Sequence, residues 1–272
     1  MSPSVPMDEP LRVRVIGRAG AGRRTMARGL LGAGIAVADP GHDSDIDVYV
    51  FVETLNADDR SALAASARPA VAVLNKADLA GFSDRGPLAL VADRCRALRR
   101  ETGVPVHAVC ALLAVAATDA QVLDASLGAL RTLAAGAALD DAARYRLAAD
   151  LDVFGTALAV AALRNGTAPA AIGELLAAVS GIGGLLTELE RAGALVRYRR
   201  AVGPARITAA AAALEAIGAS APRAVDHLAR ARHWQRYARG PLTAVHQSCA
   251  MDAARGALRL WAQSGGRPGT LP

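Results

Sequence analysis

From residue 11 to residue 135, short apolar runs of strand length alternate with stretches of helical spacing, and no other feature constrains the fold as much. Residues 11–16 (LRVRVI) alternate apolar and basic side chains with the period of two of a strand and end on Gly17. Residues 35–38, 48–53, 70–74 and 104–110 read as further strands, and 25–31, 56–67, 88–100 and 121–135 as helices. A strand, a helix and a second strand join through a right-handed crossover. The fold class is therefore α/β, a mostly parallel sheet with flanking helices. Such sheets bind ligands beyond the carboxyl ends of their strands. The residues that follow each strand are the ones to inspect.

From about residue 140 the texture changes to alanine, leucine and arginine at spacings of three and four, with no run of strand length. Segments 141–164, 168–179, 182–200, 206–217, 223–239 and 243–263 suit helices, punctuated by glycine and proline. The expected organisation is a tail at 1–10, an α/β domain at 11–138, an all-α helical domain at 139–265 and a tail at 266–272. Apolar residues make up 53% of the chain, which excludes disorder, and three scattered cysteines exclude a disulfide framework. No secretory signal and no apolar run of bilayer length is visible, so a cytoplasmic, soluble protein is expected. The net charge is +6, and Lys76 is the single lysine among 31 basic residues. Where arginine is the default cation, the one ammonium points to a specific role.

Three short motifs fall at strand ends. The first runs Gly17-Arg18-Ala19-Gly20-Ala21-Gly22-Arg23-Arg24-Thr25, between a strand and a helix. Glycines there let successive N–H groups turn inward, and the helix N-terminus adds positive potential, which suits a phosphate. The second is Asn75-Lys76-Ala77-Asp78, directly after a strand. A carboxylate at position 78 can accept from the ring N–H and the exocyclic amine of guanine, an arrangement adenine cannot satisfy. The third is Cys110-Ala111-Leu112, after the strand at 104–110.

In order and spacing these motifs resemble those of the P-loop GTPases, over about residues 11–117. The first is similar to Gly-x-x-x-x-Gly-Lys-[Ser/Thr], the second to Asn-Lys-x-Asp, and the third to Ser-Ala-[Lys/Leu], with Cys110 for the serine. The resemblance implies a P-loop-type sheet that holds GTP or GDP. Gly17, Gly20, Gly22, Arg23, Arg24 and Thr25 would lie at the phosphates, and Asn75, Lys76, Asp78, Cys110, Ala111 and Leu112 at the base. Four departures matter. Arg23 replaces the phosphate-binding lysine, and Arg24 replaces the magnesium-binding hydroxyl, with Thr25 one position late. Between Gly17 and Asn75 there is no room for the usual switch loop or the strand after it. Asp39-Pro40-Gly41-His42 is one residue short of Asp-x-x-Gly. Arginines can pair with phosphates but cannot coordinate a cation. The reading is a guanine-nucleotide binder with weak or absent hydrolysis, no assigned catalytic residue, and magnesium left open.

The helical half resembles the region after the GTPase domain in actinobacterial dynamin-like proteins, through Phe154-Gly155, Leu163-Arg164-Asn165-Gly166, Glu174-Leu175-Leu176 and Ser180-Gly181. That implies a partner, a complete dynamin-like GTPase, and leaves a peripheral membrane contact open. Two other readings stand beside this one. In one, a pseudo-GTPase adaptor makes protein–protein contacts without nucleotide. In the other, the basic helical surface of residues 197–200 and 223–239, with His227, His233, Trp234 and Tyr237, meets a membrane or nucleic acid. With so many arginines a solvated face explains that surface, so nucleic acid is not the expected partner.

Overall fold

The structure is a computed structural model that describes residues 10–39, 41–80, 87–202 and 224–266. It divides into two compact units, one formed by Pro10–Glu190 and one that includes Arg191–Pro272.

The first unit is built on a five-stranded parallel sheet of order β2-β1-β3-β4-β5. Its strands are β1 (Arg12–Gly17), β2 (Ala36–Val37), β3 (Ile46–Phe51), β4 (Ala70–Asn75) and β5 (Val106–Val109). The helices between them are α1 (Arg23–Gly32), α2 (Ala57–Ala64) and α3 (Pro87–Thr102), and a 3-10 turn, Ala77–Ala80, follows β4. Then come α4 (Ala111–Thr118), α5 (Ala120–Ala134), α6 (Asp141–Asp150), α7 (Asp152–Arg164) and α8 (Ile172–Ser180), and the division between the units falls within α9 (Ile182–Val202). Only Ala33, Gly34 and Ile35 connect α1 to β2. The strand order reverses between β1 and β3, which makes the carboxyl edge at that point a crevice.

β3 (IDVYVF) is buried along its whole length, as expected of a strand covered on both faces. Its one acidic side chain is accommodated by register. Arg14 lies opposite Asp47, and its guanidinium donates to both carboxylate oxygens at 2.9 Å. Ser66 Oγ donates to Asp47 at 2.9 Å as well. The ion pair raises the pKa of Arg14, through its hydrogen bond to Asp47. On α1, Met26 and Leu30 are fully buried, each worth about 1.5–3 kcal/mol of burial.

Three expectations change. Residues 111–118 form a helix, where the sequence showed only an apolar run. The segment 141–164 is two helices, broken at Leu151. The third concerns the division at 138/139, which falls inside the first unit. Leu147, Leu151, Ala159, Ile172 and Leu176 join the same core as Phe51 and Leu74, so the helices from α6 to α8 complete the sheet domain. The helix expected at 206–217 lies outside the described residues.

In the second unit, α10 (Ala224–Ala238) and α11 (Ala244–Gln263) pack as a hairpin. Thr243 caps α11 by accepting from the His246 N–H at 3.3 Å. Ala231, Ala250, Ala254 and Ala257 are buried, small residues that suit close helix packing. Trp234 packs edge-on against His233 and Tyr237. Among the described residues no single helix is long and apolar enough to cross a membrane, although two bent helix pairs reach that length together.

Candidate functional site

The glycine turn after β1 is forced by close approach. A Cβ on Gly17 would lie 2.0 Å from the Val50 carbonyl oxygen, so only glycine lets β1 leave the sheet there. Gly22 caps α1 with φ of 86°, in the left-handed region, and a Cβ on it would lie 2.3 Å from Asn75 Nδ2. Arg18 anchors the turn from outside. Its guanidinium donates to the Thr54 carbonyl at 2.9 Å and pairs with Asp59 at 3.2 Å.

Asp59 is fully buried yet well served. It accepts from Tyr49 Oη at 2.6 Å and from the Asn56 N–H at 2.8 Å, closing a capping box on α2. Burial, and then the hydrogen bond to Asp59, push the Tyr49 phenol up to about 12. Sequence reading missed the links of Arg18 and Tyr49 to Asp59, because those residues are distant in the chain, whereas the Asn56-x-x-Asp59 spacing of a capping box was a local signal for it.

Asn75, at the end of β4, joins two of the three motifs. Its Nδ2 donates to the Ala21 carbonyl at 2.8 Å, and its Oδ1 accepts from the Ala111 N–H at 3.0 Å. The side chain is buried, so one amide links the glycine turn to the start of α4. From the other side, the Cys110 N–H donates to the Ser180 carbonyl at 2.9 Å, which fixes the end of β5 against the α8–α9 turn. Cys110 is buried beside Asp78. Burial, the Asp78 charge and a hydrogen bond to that carboxylate push its thiol up to about 12.

These contacts enclose a cleft of about 190 Å³, lined by Gly22, Thr25, Asn75, Lys76, Asp78, Cys110, Ala111 and Leu112, with Leu79, Leu113 and Asp152. Two neighbouring clefts flank the glycine turn. One, of about 450 Å³, contains Gly20, Gly22, Arg23, Arg24, Thr25 and Lys76. The other, of about 320 Å³, runs from Arg18 to Ala21 and meets Glu53 and Lys76. All the candidate residues named from sequence therefore meet at one edge of the sheet, with Gly17 holding the turn beneath them. Arg23 and Arg24 are exposed in the first turn of α1. Ala111 departs from its expected role, because Asn75 already accepts its N–H. The following N–H groups, of Leu112 and Leu113, lack helical acceptors and face the opening of α4.

Backbone strain marks the same place. Among the described residues, the non-glycine residues with positive φ are Glu53 (60°), Lys76 (55°) and Asp152 (59°), and each lines one of these clefts. Each costs on the order of 1–3 kcal/mol, and such strain clusters at functional sites. A larger cleft of about 690 Å³ lies in the second unit, by Gln235, Gln247, Ser248 and Met251. Its Asp252 and Arg255 pair with each other, and no strained backbone lines it, so the sheet edge is the better candidate.

Arg24 stands where the P-loop pattern has its magnesium-binding hydroxyl, and among the described residues no group of three His, Cys, Asp or Glu side chains that could hold a metal ion is present. Asp39 is exposed at the end of β2 and lines none of these clefts. No family model, curated protein or solved structure matches the chain.

Proposed function

We propose that this chain is a P-loop GTPase-like protein that binds a guanine nucleotide and hydrolyses it weakly or not at all. The observation that carries the reading is the Asn75 bridge, which brings the glycine turn and the Cys110–Leu112 turn around Asp78 in one cleft. In that cleft Asp78 accepts from the ring N–H and exocyclic amine of guanine, held in place by the Cys110 thiol. The Lys76 stem lies over the base, and the Leu112 N–H is offered to the guanine oxygen. The phosphates lie at the N-terminus of α1 within reach of Arg23 and Arg24, whose charges offset theirs without a metal. Hydrolysis depends on neutralising the β- and γ-oxygens, where magnesium usually supplies much of the charge, and Arg24 stands where its hydroxyl ligand would be.

Titration with fluorescent GDP, GTP and ADP, with and without Mg²⁺, tests the reading. Guanine-selective binding, indifferent to Mg²⁺ and lost on Asp78→Ala, is the expected result. Phosphate release at a rate typical of unassisted GTPases would refute the claim of weak hydrolysis. A second reading, a pseudo-GTPase adaptor, is favoured by the small base cleft, about 190 Å³ where ligand pockets usually exceed about 300 Å³. No binding of any nucleotide would select it. A cytoplasmic role beside a complete dynamin-like GTPase is part of the proposal, resting on the likeness of the segments around Phe154 and Glu174.

A further inference from the structure

The sequence from 141 to 164 has unbroken helical spacing, yet the chain breaks at Leu151 and restarts at Asp152 in a left-handed conformation. Packing sets the position of that restart. Leu151 is fully buried, and Gly155 lets α7 lie close to α4, since a Cβ there would come within 3.0 Å of Leu113 Cδ1. The first residue of α7 is thereby brought to the cleft that contains Lys76, Asp78 and Cys110. Asp152 is half-buried there. Its Oδ1 accepts from the Val153 N–H at 2.6 Å, and its other oxygen meets no protein donor among the described residues.

An ionised carboxylate only accepts hydrogen bonds. A guanine nucleotide offers few donors: the ring N–H, two hydrogens on the C2 amine, and the ribose hydroxyls. Its phosphates, O6 and N7 would be repelled. On the reading above, Asp78 takes the ring N–H and one amine hydrogen. We infer that Asp152 is a second nucleoside-reading carboxylate, which accepts a hydrogen bond from a donor that Asp78 leaves free, the second amine hydrogen or a ribose hydroxyl. This rests on the guanine-nucleotide reading. It adds a specificity-determining residue from the helical half of the unit, a position that none of the three strand-end motifs contains.

The test is calorimetric titration of the full chain with GDP, inosine diphosphate (no C2 amine), 2′-deoxy-GDP, 3′-deoxy-GDP and ADP. The variants are Asp152→Gly, which suits φ of 59°, and Asp152→Asn, which keeps one acceptor oxygen. Asp152→Gly is expected to lose roughly tenfold or more in GDP affinity. The analogue lacking the relevant donor is expected to bind wild type and variant alike, which identifies that donor. Asp152→Asn should fall between the two. Equal affinity of wild type and Asp152→Gly for all the guanine ligands would overturn the inference, leaving Asp152 as the start of a helix. A uniform loss across them would overturn it equally. Preference for GDP over ADP reports on Asp78 instead. If wild type binds no guanine nucleotide, both proposals fall; if it binds GDP selectively with no effect at position 152, only this one does.

Discussion

Replacing Asn75 by alanine should damage both the fold and the site, and the structure sets the size of the effect. Both polar atoms of the side chain are occupied, Nδ2 by the Ala21 carbonyl and Oδ1 by the Ala111 N–H, at 2.8 and 3.0 Å. Asn75 and both partner residues are buried. Asn75→Ala leaves a buried backbone acceptor and a buried backbone donor unmade, at about 1–3 kcal/mol each, so about 2–6 kcal/mol together. Against a typical total of about 5–15 kcal/mol, that shift is large. Guanidinium unfolding followed by circular dichroism should show a lower midpoint at unchanged slope. A loss below about 1 kcal/mol would refute the reasoning, because water would then have replaced both bonds. Asn75→Asp sharpens the test. It keeps the acceptor for Ala111 but sets a carboxylate oxygen against the Ala21 carbonyl. That repulsion and burial raise its folded pKa above the unfolded value of about 3.9. The folded state then holds the proton more tightly, so stability is fully present below about pH 4 and is lost as pH rises through the folded pKa. Asn75→Asp should therefore approach wild type in acid and fall furthest behind at neutral pH. The Asn75→Ala deficit should not vary with pH.

Gly22→Ala places a Cβ against the Asn75 amide at a φ of 86° and should cost at least about 1–2 kcal/mol, measured by the same unfolding curves. Tyr49→Phe removes a hydrogen bond to the buried Asp59 carboxylate and should cost about 1.5–3 kcal/mol. In an ultraviolet pH titration it should also abolish the phenol ionisation near 12. Alkylation followed by mass spectrometry near neutral pH should modify Cys249 first. Cys95 and Cys110, buried and pushed up to about 11 and about 12, should react only on unfolding. Because both thiols ionise more readily when unfolded, stability should fall as pH climbs past about 8.5, and Cys110→Ser should reduce that slope.

Much of the sheet edge was legible because strands and their following turns are local features. β1, β4 and the Asn75–Asp78 turn could be placed from alternation, glycine and a lone lysine. Helix α4 could not. Ala111, Leu113, Ala114, Val115 and Ala116 are all buried, so the segment has no polar face to reveal a helical period. The break at Leu151 was hidden for the opposite reason. Alanine and leucine continue the helical spacing through it, and packing of Leu151 and Gly155, not propensity, ends α6. The placement of Asp152 beside Asp78 follows from that packing and leaves no trace in spacing. Arg14 facing Asp47 was likewise invisible until register paired them.

On the guanine-nucleotide reading proposed above, the three-residue link from α1 to β2 has a functional consequence. Proteins that tell time with a nucleotide need a stretch of chain that rearranges when the terminal phosphate departs. Ala33, Gly34 and Ile35 are spanned by turn hydrogen bonds back to Gly29, Leu30 and Leu31, leaving no slack at this point for such a gesture. A ligand at this edge would be announced by its arrival and departure, so cellular supply, and not an internal clock, would set the signal.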